Sequence, residues 1–361
     1  MSKKIAILCG GKTAEHEVSL QSAKNIAAEI DKSKYEVIPI GITKKGEWLL
    51  YDDLNFLLNS DNPKKISLAA SGEPVNLLFD GSRNLISLKD GKIITSIDAA
   101  FPVLHGTFGE DGTMQGLFEI AQVPYVGPNV LGSAIGMDKD ITKRLLRDGG
   151  VDIADFFVFR NSEKEKINFV KIKNKLGLPF FVKPANAGSS VGVSKVKNKN
   201  DFVAAVEEAF RYDNKILIEE GIAGRELECA VLGNEEVKAS IVGEVLPQKD
   251  FYSYEAKYID TQGAILEMPA KITSEEEKRI QKLAIKTFKI LGCEGMARVD
   301  FFLTQDGLVV NEINTIPGFT KISMYPKLWD LSGIKYPDLI DRLVRLGFER
   351  FEREKRKLEN F

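Results

Sequence analysis

The sequence predicts a mixed α/β (α+β) protein in which a parallel α/β unit comes first and antiparallel units follow. Three stretches carry that prediction. Residues 5–9 (IAILC) form a continuous apolar run that breaks at Gly10-Gly11. Ala14, Val18, Ala23, Ile26, Ala27 and Ile30 then recur at helical spacing, so the opening reads as buried strand, glycine turn and helix. Residues 180–184 and 191–196 read as two antiparallel strands around a small-residue loop. Residues 298–314 read as a hairpin, with runs rich in Val, Ile and Phe flanking Gln305-Asp306-Gly307.

With 361 residues and 40.1 kDa the chain has room for two or three domains around a large core. Its 43% hydrophobic and 28% charged residues suit a soluble globular protein. A net charge of -2 and a pI near 6.0 argue against nucleic acid or an anionic membrane as the main partner. No stretch reaches the roughly 20 apolar residues of a membrane span, and the apolar run in MSKKIAILCGG is too short for a signal-peptide core. The three cysteines are widely spaced and only His16 and His105 accompany them, so we expect a reduced, cytoplasmic protein without structural zinc.

At the end of the first strand, GGKT fails the P-loop pattern because Ala6 stands where a glycine is needed, and GxGxxG is also absent. What remains is a helix N-terminus at the carboxyl end of a strand, where open α/β sheets bind ligands, with Glu15 and Glu17 placed there. A first-turn acid also serves simply as a dipole partner, and the residues leave both readings open. Residues 34–42 read as a second strand. From there to Ile97 short turn-punctuated strands carry no motif. Residues 99–104 are another buried strand, running into HGTFGEDGT, whose three glycines and two acids make a loop at the same end of the sheet as Glu15. His105 is either part of a site there or an ordinary loop histidine.

A helical segment from Met137-Asp138-Lys139 leads to a second unit. There a strand ending in Lys183 meets the loop Ala185 to Ser190, which has the physics of a phosphate flap: backbone N–H groups and hydroxyls above, one cation below. An ordinary hairpin loop is the other reading. Residues 215–220 form a strand ending in Glu219 and Glu220, followed by Gly221 to Gly224 and Glu226; these acids could hold an adenine amino group and ribose hydroxyls, or be surface acids. Residues 245–269 lack clean periodicity and read as a lid. Residues 274–291 read as an amphipathic helix with Ser274-x-x-Glu277 as capping box, and residues 337–361 as a helix with Leu339, Ile340, Leu343 and Leu346 in its buried stripe.

In the hairpin, pairing Thr304 with Leu308 sets Asp300 opposite Glu312 and Arg298 opposite Asn314 on one face. Val299, Phe301, Leu303, Val309 and Ile313 then share the other. Two carboxylates about 5 Å apart repel by roughly 3 kcal/mol at an effective dielectric of 20, so a cation is implied. The oxygen donors Asp300, Glu312 and Asn314 suit Mg²⁺ or Mn²⁺ and not zinc. Alternatively, Arg298 neutralises the acids on a solvated face. The exit Asn314 to Thr320 leaves through Pro317 and Gly318, a turn able to aim N–H groups at an anion.

Taken in order, GGKTAEHEVSL, LHGTFGEDGTMQG, MDK, VKPANAGSSVGVSKV, IEEGIAGRELE, FYSYEAKY and RVDFF with NEINTIPGFT resemble the D-alanine-D-alanine ligase family, ATP-grasp enzymes of peptidoglycan precursor synthesis. The resemblance covers nearly the whole chain apart from residues 48–97. KPANAGSSVG departs from the KPSREGSSVG of some relatives but keeps Ser-Ser-Val-Gly. The resemblance implies a three-domain ATP-grasp architecture: an N-terminal parallel α/β domain over 1–138, a central subdomain with the phosphate loop over 139–223, and a C-terminal subdomain with lid and metal site over 224–361.

It also implies roles. Lys139 and Lys183 would contact ATP phosphates, with Glu219, Glu220, Ile222 and Glu226 around adenine and ribose. Asp300, Glu312 and Asn314 would hold two Mg²⁺ (or Mn²⁺) ions. Glu15 would receive the ammonium of the first D-alanine and join Ser189 and Tyr258 in a hydrogen-bonded triad, while Lys257 reaches the γ-phosphate. Arg298 and the Gly318 N–H would form the oxyanion site, Ser323 would hold the second carboxylate, and His105 would sit near the first substrate. Relatives that make D-alanyl-D-lactate generally lack the lid tyrosine, so Tyr258 implies an amine as the second nucleophile. A cytoplasmic homodimer acting on D-alanine is expected. Another ATP-grasp ligase and a silent nucleotide-binding regulator are the competing readings; the regulator would need a lost metal ligand or phosphate lysine, and none is lost.

Overall fold

The computed structural model describes residues 2–247 and 264–358. The first strand, β1 (Lys3–Gly10), is buried along its last six residues because KKIAILCG keeps its charges at the outer end. Between β2 (Tyr35–Ile42) and β9 (Ala99–Val103) the chain lays down β3 (Trp48–Leu50), the short pair β4 (Leu57–Leu58) and β5 (Ser67–Leu68), then β6 (Glu73–Leu77), β7 (Asn84–Ser87) and β8 (Ile93–Ser96). A seven-stranded sheet runs β8-β7-β6-β3-β2-β1-β9. Only β2, β1 and β9 are mutually parallel; the stretch without motifs forms an antiparallel wing on the far side of β2. The parallel core thus places the ends of β1 and β9, and the loops that follow them, side by side.

After α1 (His16–Glu29), α2 (Thr113–Ile120) and α3 (Val130–Met137), the helix α4 (Lys139–Asp148) opens the second unit, capped by Asp138, whose side chain accepts from the N–H groups of Asp140 and Ile141. Strands β10 (Phe156–Arg160), β11 (Phe180–Pro184), β12 (Ser194–Val196) and β13 (Lys215–Glu220) form an antiparallel sheet in the order β10-β13-β11-β12. Helices α5 (Phe169–Leu176) and α6 (Lys199–Ala209) bury Ile172, Phe202 and Val206 against Phe180, Val182 and Ile218. The partner of β11 is shorter than expected, since Val191 and Val193 are spent on turns back to Gly188 and Ser190.

The third unit is the antiparallel sheet β16 (Ala264–Glu267), β15 (Lys238–Pro247), β14 (Arg225–Gly233), β17 (Gly295–Leu303) and β18 (Leu308–Asn314), in that order. Pro247 pairs with Ala264, so both described ends of the stretch 245–269 are strands, and the lid reading between them lies outside the described residues. Helix α7 (Ser274–Ile290) starts at the expected residue, but its cap lies one residue before the expected one. Thr273, not Ser274, is its cap, and Glu276 completes the box, while Glu277 accepts from the Val242 N–H. In TSEEE two overlapping capping patterns compete, and the sheet claims Glu277.

The hairpin of β17 and β18 keeps Arg298 opposite Asn314 and Asp300 opposite Glu312, but its turn differs from the expected one. Leu303, not Thr304, pairs with Leu308, and a bulge between Asp300 and Phe301 restores the register beyond it. A one-residue slip reverses the faces. Leu308 and Val310 are accordingly buried near the turn, where Val309 was expected to be. Thr304 closes the loop by accepting from Gly307 N and donating to the Gly307 carbonyl.

Helices α8 (Met324–Leu331) and α9 (Tyr336–Leu358) weld the third unit to the first. One core cluster joins Ile7, Leu20 and Phe101 to Phe319, Tyr325 and Leu339. Buried Arg350 donates to the carbonyls of Gly127 and Tyr125, and Asp341 accepts from Tyr35 and Lys34. The cleft between the units therefore has a stiff floor.

Candidate active site

Three loops meet at the carboxyl end of the parallel strands. Glu15 is the N-terminal cap residue of α1, yet its carboxylate makes no capping bond; it turns into the cleft and accepts from the Ser189 hydroxyl. Ser189 and Ser190 both hold left-handed backbone, φ +50 and +59. Such a conformation costs about 1 to 2 kcal/mol in a residue with a Cβ, so the surrounding structure must impose it. The result is a small-residue loop bent over the cleft with a hydroxyl aimed at the first unit.

The glycines of HGTFGEDGT make room for this. Gly106 has φ +73, and a Cβ there would stand 2.8 Å from Glu15 Oε2 and 3.1 Å from Thr13 Oγ1. We predict that Gly106→Ala displaces Glu15 and raises the KM of the molecule held there about tenfold, with a stability loss of about 1 to 2 kcal/mol, both read from kinetics and thermal melts. An unchanged KM would show that Glu15 does not face a bound molecule.

His105 is buried, with Nδ1 3.0 Å from the Ile316 carbonyl and Nε2 3.4 Å from Ser22 Oγ. Burial pushes its pKa down against the opposing charge of Glu15, so the ring is neutral near pH 7. Glu110 accepts from the N–H groups of both Gly106 and Ile316, at 2.7 and 2.9 Å. Burial first, and the charge of Glu15 second, push its carboxyl well above the usual range. Phe319 is fastened to α1 through Ser22 and Asn25. The exit loop after β18 is thus clamped to the first unit, which places the Gly318 backbone and Ser323 on the cleft wall; Ser323 Oγ accepts from Thr320 N at 2.9 Å.

The opposite wall carries the cations. Lys139 Nζ donates to the Ala187 carbonyl at 2.6 Å, binding α4 to the small-residue loop. Lys183 Nζ lies 2.8 Å from Glu219 Oε1, and Lys143 Nζ lies 2.7 Å from Glu219 Oε2. Burial alone would raise the Glu219 carboxyl, but the charges of Lys143 and Lys183 outweigh it and hold it down at about 2. Burial dominates for Lys143 and lowers its pKa.

The floor is a row of carboxylates. Glu228, Asp300 and Glu312 are cross-strand neighbours on β14, β17 and β18. Arg298 forks onto both oxygens of Asp300 at 2.7 Å and reaches Glu228 Oε2 at 2.9 Å, and Asn314 Nδ2 donates to Asp300 at 2.9 Å. The compensating cation that the paired acids demand is, in this structure, Arg298 itself. The donor set still fits a hard divalent ion, because Asp300, Glu312 and the Asn314 amide offer oxygen alone.

Glu15, His105, Lys139, Lys183 and Ser189 therefore share one cleft with Arg298, Glu312, Asn314, Gly318 and Ser323. Glu219 lies on an interior strand, 3% exposed, with its carboxylate shared by two lysines, so it is not a surface acid. Glu220 is likewise engaged, exchanging bonds with Asp155 through its N–H and its side chain. Ile222 follows on the half-buried connection to β14, where Glu226 pairs with Val245 and Phe302. Lys257 and Tyr258 lie outside the described residues. Lys143, Glu228 and Glu110 were missed. Lys143 is one helical turn beyond Lys139, and Glu228 is two strand positions beyond Glu226, spacings that put each on the face of a residue already singled out.

Two family models match this chain: D-ala D-ala ligase N-terminus over residues 4–128 and D-ala D-ala ligase C-terminus over residues 145–345. A D-alanine--D-alanine ligase of Oceanobacillus iheyensis is 53% identical over 98% of this chain and 97% of its own. The D-alanine--D-alanine ligase A of Escherichia coli K12 is 51% identical, with 96% of each chain covered. Among solved structures, the D-alanine-D-alanine ligase from Coxiella burnetii superposes with a TM-score of 0.88 at 39% identity, covering 99% of this chain and 97% of that one. The VanG D-Ala:D-Ser ligase from Enterococcus faecalis does so with a TM-score of 0.84 at 40% identity, covering 96% and 100%.

Proposed function

The chain belongs to the D-alanine-D-alanine ligase family, and we propose that its cleft joins two D-alanines into D-alanyl-D-alanine while ATP becomes ADP and phosphate. The observation that carries this reading is the hydrogen bond from Ser189 to Glu15. It brings the acid suited to a substrate ammonium directly under the loop suited to a nucleotide's phosphates. In this reading the first D-alanine docks its ammonium on Glu15, beside neutral His105, and its carboxylate attacks the γ-phosphate held by Lys139 and Lys183. An acyl phosphate and ADP result. The amine of the second D-alanine, whose carboxylate rests on Ser323, then attacks the acyl carbon. Arg298 and the Gly318 N–H receive the charge that develops on the carbonyl oxygen, and phosphate leaves.

Asp300, Glu312 and Asn314 would hold two Mg²⁺ or Mn²⁺ ions, which when bound neutralise charge on the phosphate oxygens. Lys257 and Tyr258 keep the roles that the resemblance gives them, on the γ-phosphate and in the triad with Glu15 and Ser189. Glu219, Glu220, Ile222 and Glu226 surround the adenine and ribose in this reading. We divide the chain as expected, at 138 and 223, and assign the enzyme to the cytoplasm; no helix among the described residues is long and apolar enough to cross a membrane. A homodimer rests on the resemblance alone, and sedimentation tests it.

The relatives include a D-Ala:D-Ser ligase, so the second substrate is the point to test. Given ATP, Mg²⁺ and equal D-alanine, D-serine and D-lactate near neutral pH, the enzyme should yield chiefly D-alanyl-D-alanine. A product mixture dominated by D-alanyl-D-serine or D-alanyl-D-lactate would overturn the assignment.

A further inference from the structure

Among the described residues Lys143 is the most deeply buried lysine, 2% exposed, and the reaction as set out above gives it nothing to do. A buried ammonium is costly unless paired, and its partner is one oxygen of Glu219 at 2.7 Å. The other oxygen of Glu219 holds Lys183 at 2.8 Å. The three side chains thus form a line in which one carboxylate is shared by two cations, across the junction of α4 with the β11–β13 pair. Lys139 stands one turn before Lys143 on the same helix face and grips the small-residue loop through Ala187. The Phe156 ring centroid lies 5.7 Å from the Lys143 ammonium.

We propose that Lys143 is a positioning residue for nucleotide binding: by occupying one oxygen of Glu219 it limits the hold of that carboxylate on Lys183, so that the Lys183 ammonium stays available to a phosphate. The inference rests on the reading of Lys183 as a phosphate ligand. Without Lys143, Glu219 would have both oxygens for Lys183, and the buried pair would close on itself. Lys183 would then have to be drawn away from a doubly available carboxylate each time ATP arrives. Charge balance points the same way: two lysines and one glutamate leave the group with one net positive charge facing an anionic ligand, whereas Lys183 and Glu219 alone are neutral.

The test is calorimetric binding of ATP with Mg²⁺, without D-alanine, to Lys143→Met, Lys183→Met and the double variant. Lys143→Met should weaken ATP binding about tenfold while the KM for D-alanine stays within about twofold, a split that general loosening of the fold would not give. The double variant should bind no more weakly than Lys183→Met, because Lys143 acts only through Lys183. Losses that add in the double variant would mean that Lys143 meets the phosphates itself, and an unchanged affinity in Lys143→Met would mean that it is merely structural; either overturns the proposal. If Lys183→Met binds ATP normally, the underlying reading of Lys183 fails instead, and the two failures are told apart. Should Lys143→Met fold poorly, Lys143→Gln supplies the same test with a polar group left beside Glu219: it should weaken ATP binding on its own and add no loss to Lys183→Met, and an unchanged ATP affinity would overturn the proposal.

Discussion

Replacing Arg298 by alanine should lower kcat by about 10²- to 10³-fold while leaving ATP affinity within about twofold. The guanidinium belongs to the floor of the cleft, not to the cation wall where Lys139 and Lys183 stand. Its charge is needed most where an oxyanion develops, which is a property of the transition state and not of bound nucleotide. The same side chain also neutralises Asp300 and Glu228, both nearly buried, so its loss leaves a row of three carboxylates without their fixed cation. A stability loss will accompany the kinetic one, and Arg298→Lys separates them. Lysine restores the charge but cannot fork onto Asp300, so it should recover much of the melting temperature and little of kcat. A defect confined to the KM for ATP would reassign Arg298 to nucleotide binding.

How much of this site could be read from the residues depends on what fixed each part. The hairpin face was legible because its pattern has period 2 and its ends pair in one register: Arg298 with Asn314 and Asp300 with Glu312. The turn was not, because a bulge adds a residue without any local composition that marks it, and Val309 and Val310 are equally apolar choices for the core. Glu15 was legible as a helix start after a strand. Its tie to the Ser189 loop, more than 170 residues away, is announced by no local pattern. The interior place of Glu219 was hidden for the same reason. A strand ending in two acids looks like an exposed edge until the order β10-β13-β11-β12 puts that strand in the interior, where a buried carboxylate must find cations.

Glu15→Gln should raise the KM for the first D-alanine about 30- to 900-fold, the range that follows from losing about 2 to 4 kcal/mol when one partner of a buried, charged hydrogen bond is neutralised. The amide keeps the size of the side chain and can still accept from Ser189, so the small-residue loop stays docked and ATP affinity should change little. The KM for the second D-alanine should hold within about threefold, since α1 holds the exit loop that positions Ser323 through Ser22 and Asn25 and not through Glu15. A second readout concerns Glu110, whose carboxyl burial and the charge of Glu15 together raise. A carboxyl raised in the folded state lends stability that is fully present below its unfolded pKa and is lost as pH rises through the folded one. Removing the Glu15 charge lowers the folded value. The melting temperature of Glu15→Gln should therefore fall less than that of the unchanged protein as pH rises from the acidic into the alkaline range. Parallel melting profiles would show that the two carboxyls do not sense each other, and equal defects in both D-alanine KM values would remove Glu15 from the first site.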